Sequence, residues 1–538
     1  MDATTTHPSA GHADFTWAGA TASASAVVLE RPAAVAAFVT GGRAERRHRV
    51  VSFGAAHGVF GTALLAALAL RVLAVAGYPT ALWFGDSVGY LRSALRLEPS
   101  PTRPSGYSVM LRMLEPLHSF VAVVSVQHLI GLATAVLLYA LVWRHARRAA
   151  WSRRRGPWLP GLLGTAVTLP VLFDAYQIEL EHLLLADSLF MLLVVAAVVV
   201  LLWRPAVSLR AAAAAGVLLG LAATTRAIGL PLLAVVLLWS LLRRRGLLKA
   251  LVPAVAAVIA FAAPVGLYMT WYHRAHGTFA MTESEKTFLY GRTMSFADCS
   301  AIRPRPDLRP LCPRTPPKDV SPPYAALWTD RSPFADMERG KVGGNDRAGE
   351  FAAAAILTQP GDYVRVVARD TLRAFWWKRT VHPSPWTFQK YEFPAREQPL
   401  SKRQARVARP YAHVGGTRPV VEPYAGWMRT YQDWVYLPGI GLGMLLLAAA
   451  AGMVLRRGPR RRVLLPWTMS LALLVVPAAT ADFDYRYVLP AVPLGALAAC
   501  LAFTPRPRTL GHAPGKDAEG ARNRLRREAR EHTLVPPR

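Results

Sequence analysis

Ten long apolar segments, near residues 53–76, 119–143, 158–176, 183–203, 211–225, 227–242, 250–272, 434–455, 463–480 and 488–504, constrain this chain more than anything else in it. A bilayer span needs ~20 apolar residues, and backbone groups in hydrocarbon must be satisfied inside the helix itself. Of the 538 residues 53% are hydrophobic, and they gather into these blocks rather than spreading as soluble domains would have them. The expected fold is an all-α polytopic membrane protein of about ten transmembrane helices. Segments 211–225 and 227–242 are short, and read as a tight hairpin that does not fully cross.

The net charge of +30 invites a nucleic-acid reading, but its distribution argues against one. The basic clusters fall in short connections and tails: Arg43 to Arg49, Arg144 to Arg155, Arg243 to Arg245, Arg456 to Arg462 and the tail after Arg506. Short Lys/Arg-rich loops stay cytoplasmic. Placing all of them inside gives a consistent count with both termini cytoplasmic, and no nucleic-acid partner is expected. The loop after the first span, the 177–182 turn, the 273–433 stretch and the 481–487 turn then lie outside.

Five regions follow: a disordered cytoplasmic tail (1–50), an amino-terminal transmembrane core (51–272), an external insert (273–433), a carboxy-terminal transmembrane block (434–504) and a basic cytoplasmic tail (505–538). The first 40 residues lack a basic start and a clean apolar core, so the first span is expected to be an uncleaved anchor. The insert reads as an α-rich cap, with helices at Arg347–Leu357 and Asp362–Trp377 separated by Gln359-Pro-Gly361. Its aromatics (Trp376, Trp377, Trp386, Tyr424, Trp427, Tyr431, Trp434, Tyr436) suit a membrane interface or a sugar face. Cys299 and Cys312 would close a short loop in an oxidising compartment, with metal binding the alternative; Cys500 reads as a small buried apolar residue.

Four external elements place polar groups at membrane level. Asp86 and Tyr90 share a helical face at i, i+4, and Arg103 and Tyr107 follow after a Pro-broken loop. Asp174, Glu179, Glu181 and His182 lead to Asp187 and Ser188. Thr225-Arg226 lies between the two short segments, and Asp482, Asp484, Arg486 and Tyr487 precede the last span. Ionisable groups at such depth are costly and need partners, water or a function.

With Asp86-x-x-x-Tyr90 after the first span, Leu185-Ala-Asp187-Ser-Leu-Phe190, Thr225-Arg226 and Tyr485-Arg-Tyr487-x-x-Pro490, the chain resembles polyprenyl-phosphate-dependent membrane glycosyltransferases of the GT-C class. That class includes protein O-mannosyltransferases and the transferases that add aminoarabinose to lipid A. The resemblance covers roughly 53–272 and 434–504. It implies a GT-C-like bundle in the cell membrane with an extracytoplasmic active site. It also implies a polyprenyl-phosphate-linked sugar donor, a protein, lipid or glycan acceptor, and no required cofactor.

On this reading Asp86 is the general base, and Arg226 and Arg486 hold the leaving phosphate, with Arg103 a third candidate. Many relatives carry two adjacent acids where this chain has Asp86-Ser87. Asp86 then works alone, or Asp187 or Glu181 supplies the second carboxylate. Tyr90, Tyr107, Glu179, Glu181, His182, Asp187, Asp484 and Tyr487 complete the expected substrate-binding set. Glu179, Glu181 and His182 hold open a divalent-metal alternative, and either Asp482 or Asp484 orients Arg486. A transporter or lipid-linked sugar flippase would place charges deep in the spans and show internal symmetry; the charges here read as lying at the outer ends, and no repeat is visible. A non-catalytic assembly protein would make Asp86 dispensable.

Overall fold

The computed structural model describes residues 33–149, 158–243, 247–335, 337, 340–413, 415–456 and 460–504. The chain divides into residues 1–53 and 54–538. The cytoplasmic-tail assignments for 1–32 and 505–538 lie outside the described residues. Residues 33–50 are helical rather than disordered, as the start of α1 (Ala33–Gly77). Ala and Arg dominate that stretch, and both are good helix formers.

Each of the ten predicted segments is a helix. After α1 come two short helices, α2 (Ser87–Arg96) and α3 (Gly106–Leu114), then α4 (Phe120–Arg147), α5 (Trp158–Phe173), α6 (Ala175–His182), α7 (Asp187–Leu202), α8 (Leu209–Thr225), α9 (Gly229–Arg243) and α10 (Leu247–His276). Among the described residues five helical stretches are long and apolar enough to cross a membrane, or up to seven if each of two bent pairs is one span. The remaining three apolar helices, α7, α8 and α9, are shorter. The protein is an all-α polytopic membrane protein.

One bend explains how the bundle is built around a charge. Helices α5 and α6 meet at 54°. The break leaves the last carbonyls of α5 without helical donors, a serious cost in a membrane. Arg71 of α1, 1% exposed, supplies them: Nη1 donates to Leu172 O at 2.9 Å and Nη2 to Val171 O at 3.0 Å. Its Nε and Nη2 also grip Glu181 at 2.9 and 3.0 Å. The other Glu181 partners are His128 of α4 and the Gln177 amide, at 3.0 Å each. Charges therefore do lie inside the spans, contrary to the expectation that all sit at outer ends. The sequence pattern hides them because Arg71 and Glu181 are 110 residues apart.

The insert begins after α10, which runs on to His276. It contains α11 (Glu285–Thr293), α12 (Cys299–Ile302), α13 (Pro322–Trp328), α14 (Gly340–Gly343), α15 (Asn345–Thr358), α16 (Pro360–Arg373), α17 (Pro385–Gln389), α18 (Lys402–Ala412) and α19 (Tyr424–Trp434). Two-residue strands β1 (Gln398–Pro399) and β2 (Thr417–Arg418) pair antiparallel. Its two halves differ. The first has its own small core of Tyr290, Leu311, Leu327, Phe334, Phe351 and Ala352, closed by the Cys299–Cys312 disulfide. The second half packs Tyr391, Phe393, Tyr411 and Met428 into the main bundle core. The chain then re-enters the bundle as α20 (Gly439–Leu455), α21 (Arg460–Thr480) and α22 (Val492–Phe503).

Candidate active site

The loop after α1 is stitched to the break between α6 and α7. Leu82 N donates to His182 O and Leu184 N to Leu82 O, each at 3.0 Å. Ser87, standing where a second acid was expected, completes the seam: its hydroxyl donates to Leu184 O at 3.0 Å and accepts from Phe84 N at 2.9 Å. The residue beside Asp86 is therefore used for positioning.

Asp86 occupies the N-cap of α2, yet its side chain makes no capping bond. An N-cap aspartate ordinarily accepts from the first helical amides. Here the carboxylate turns to two guanidiniums, Arg103 Nη1 at 2.5 Å on Oδ1 and Arg486 Nη1 at 2.9 Å on Oδ2. Burial works to raise its pKa, but Arg103 and then Arg486 outweigh it and hold the carboxyl well below the ordinary carboxylate range. With 18% of its side chain exposed, Asp86 is ionised and still reachable.

The other predicted turns converge on this pair. Arg486 Nε lies 3.5 Å from Asp484 Oδ2, and Asp484 also accepts from the Tyr391 hydroxyl of the insert. Asp484 is thus the acid that orients Arg486. Asp482 instead accepts from Ser321 at 2.5 Å and meets His382 at 3.2 Å, tying the insert to the bundle. Arg226 Nη1 sits 2.5 Å from Asp187 Oδ1 and its guanidinium lies 5.1 Å from the Tyr487 ring. Arg486 approaches the same ring at 5.2 Å. Gly106 permits the crowding: a Cβ there would lie 2.7 Å from Thr224 O, so only glycine lets α3 pass so close to the Arg226 turn. Tyr90, under Arg103 at 5.6 Å, has its phenol pushed up to about 12 by burial and then by Asp86.

Several expected substrate contacts are not in this cluster. Tyr107 is fully buried and donates to Gln127 at 2.5 Å, behind Tyr90. Glu181 is committed to Arg71, and His182 to His128 at 3.2 Å and Tyr78 O at 2.9 Å. Glu179 is fully buried, neither carboxylate oxygen having a hydrogen-bond partner among the described residues. Spacing on one short helix suggested a shared site for these three; instead Glu181 and His182 meet the same His128 inside the bundle, and Glu179 makes neither contact. No group of three or more His, Cys, Asp or Glu able to hold a metal occurs among the described residues.

Two insert residues outside the expected site set bear on it, one of them, Trp386, read from the sequence only as an aromatic suited to a membrane interface or a sugar face. The Trp386 indole lies 3.6 Å from where a Gly85 Cβ would stand and is tilted against Phe84. Lys341 is close enough to Arg103 and Asp86 for their charges to act on it.

No family profile matches the sequence, and no match was found among curated proteins. Two solved structures are similar over 83% of this chain at 14% identity with a TM-score of 0.33: ArnT from Cupriavidus metallidurans in the apo state, covering 76% of that chain, and the same protein bound to undecaprenyl phosphate, covering 77%.

Proposed function

We propose that this protein is an inverting glycosyltransferase that moves a sugar from a polyprenyl-phosphate carrier to a hydroxyl acceptor at the extracytoplasmic face of the membrane. The observation behind this reading is an ionised, partly exposed carboxylate held between Arg103 and Arg486 at the end of an apolar bundle. A lipid-linked donor reaches such a place from the bilayer. Guanidiniums match a phosphate's geometry in a two-pronged way.

The geometry also suggests an order of events. In the free protein Arg103 and Arg486 weaken Asp86 as a base. A donor phosphate competes for the same guanidiniums, loosening their hold and raising the affinity of Asp86 for a proton. The carboxylate then takes the proton of the acceptor hydroxyl as its oxygen attacks the anomeric carbon. The bond from that carbon to the phosphate oxygen breaks, and the leaving phosphate takes up the negative charge beside the arginines. One displacement inverts the anomeric centre.

The test is transfer from labelled undecaprenyl-phosphoryl sugars by purified protein in liposomes. Asp86→Asn should lose ~10²–10⁴-fold in kcat. Arg226→Ala and Arg486→Ala should raise KM for the donor more than they lower Tm. Transfer by Asp86→Asn at the wild-type rate overturns the reading. A transporter would instead move label across the bilayer with no product formed.

A further inference from the structure

The candidate phosphate site is electrically balanced before any phosphate arrives. Arg103 and Arg486 face Asp86, Arg486 also faces Asp484, and Arg226 faces Asp187: three guanidiniums and three carboxylates. A lipid phosphodiester brings one more negative charge into a poorly hydrated place, where uncompensated charge is expensive. A site built for it needs a surplus cation.

Lys341 of the insert is placed to be that cation. The segment before α11 is tied to the loop that carries Arg103: Glu283 N donates to Pro101 O at 2.7 Å and the Ser284 hydroxyl to Thr102 O at 3.1 Å. One turn on, the Thr287 hydroxyl donates to Lys341 O at 2.9 Å. The same short structure therefore holds the backbones of Arg103 and Lys341. The Lys341 ammonium rests 2.9 Å from the centre of the Trp328 ring, and no carboxylate pairs with it among the described residues. Other charged groups nearby are engaged: Lys286 with Asp346 at 2.7 Å, and Glu285 with Thr282 at 2.6 Å.

We propose that Lys341 is the surplus cation of the donor site, binding the lipid phosphate beside Arg103 and taking up a proton from solvent as the phosphate arrives. This rests on the donor reading above. Burial, and then the charge of Arg103, lower the free amine to about 7, with Asp86 opposing. The bound phosphate restores its affinity for the proton. Binding should therefore weaken as pH rises above about 7, until the pKa of the bound form is reached.

The experiment measures Kd for undecaprenyl-phosphoryl-mannose, -glucose and -arabinose on the full-length protein in nanodiscs between pH 6 and 8.5. These are phosphodiesters, whose single charge does not change over that range. For whichever binds best, wild type should lose about tenfold in affinity across the range. Lys341→Met should already be about tenfold weaker at pH 6 and show no pH dependence. Lys341→Arg should bind tightly throughout, because guanidinium stays charged. Melting curves establish that each variant is folded; should Lys341→Met not fold, the wild-type pH series and Lys341→Arg decide. Wild-type binding independent of pH, or Lys341→Met binding like wild type, overturns the role of Lys341 alone. No binding of any of these lipids by wild type overturns the donor reading and this proposal together.

Discussion

Asp86 is held by two arginines that a lipid phosphate would also seek, and this sets its behaviour with pH. A base with an ordinary carboxylate pKa loses activity as pH falls through ~4. Asp86, held well below that range, stays deprotonated there. The kcat/KM profile reports the free enzyme, so its acid limb should lie below pH 4; an acid limb centred between 4 and 6 would assign the base to another group. The residues of the cluster were legible because each is a polar exception at the end of an apolar run. Their pairing was not. Asp482 and Asp484 are equivalent in the sequence, and only Tyr391, 93 residues away, marks Asp484 as the one turned to Arg486. Lys341 gave no signal, a single lysine in a Gly-containing stretch (Gly340-Lys-Val-Gly-Gly344) that matches no motif.

At the scale of elements, the least legible device is the bend between α5 and α6. Pro170 and Asp174 hint at a break, but the carbonyls it exposes are satisfied from a different helix. Removing Arg71 strands both those carbonyls and the Glu181 charge. Arg71→Met should cost ~3–5 kcal/mol, seen as a fall in Tm in detergent, and adding Glu181→Met should restore a large part of it. A double variant no better than the single would show that capping the carbonyls, not pairing the charge, is what Arg71 contributes. In the insert, the Cys299–Cys312 bridge closes a 13-residue separation in a half with its own small core. A loop of that size contributes ~3 kcal/mol in the chain-entropy picture. Cys299→Ser should make the 277–357 region the first to yield to limited proteolysis while the membrane core stays intact.

Over the whole molecule, all ten apolar segments became helices because length and hydrophobicity are local properties that a bilayer reads directly. The insert was legible as α-rich, but not as two halves. Aromatics such as Tyr391 and Tyr411 look alike in sequence whether they face lipid, sugar or the bundle core, and here they pack into the core. This division places the Asp86 cluster where α2, the Arg226 turn, the Arg486 turn and the insert meet, and on the proposed reading a lipid-borne donor and an acceptor come together there. The measurement that tests this most directly is single-turnover transfer from a bound, labelled undecaprenyl-phosphoryl sugar to acceptor in proteoliposomes, comparing wild type with Asp86→Asn. The account predicts that both proteins bind the donor and only wild type releases undecaprenyl phosphate with the sugar inverted on the acceptor. Equal release by the two proteins, or product with retained configuration, would contradict it.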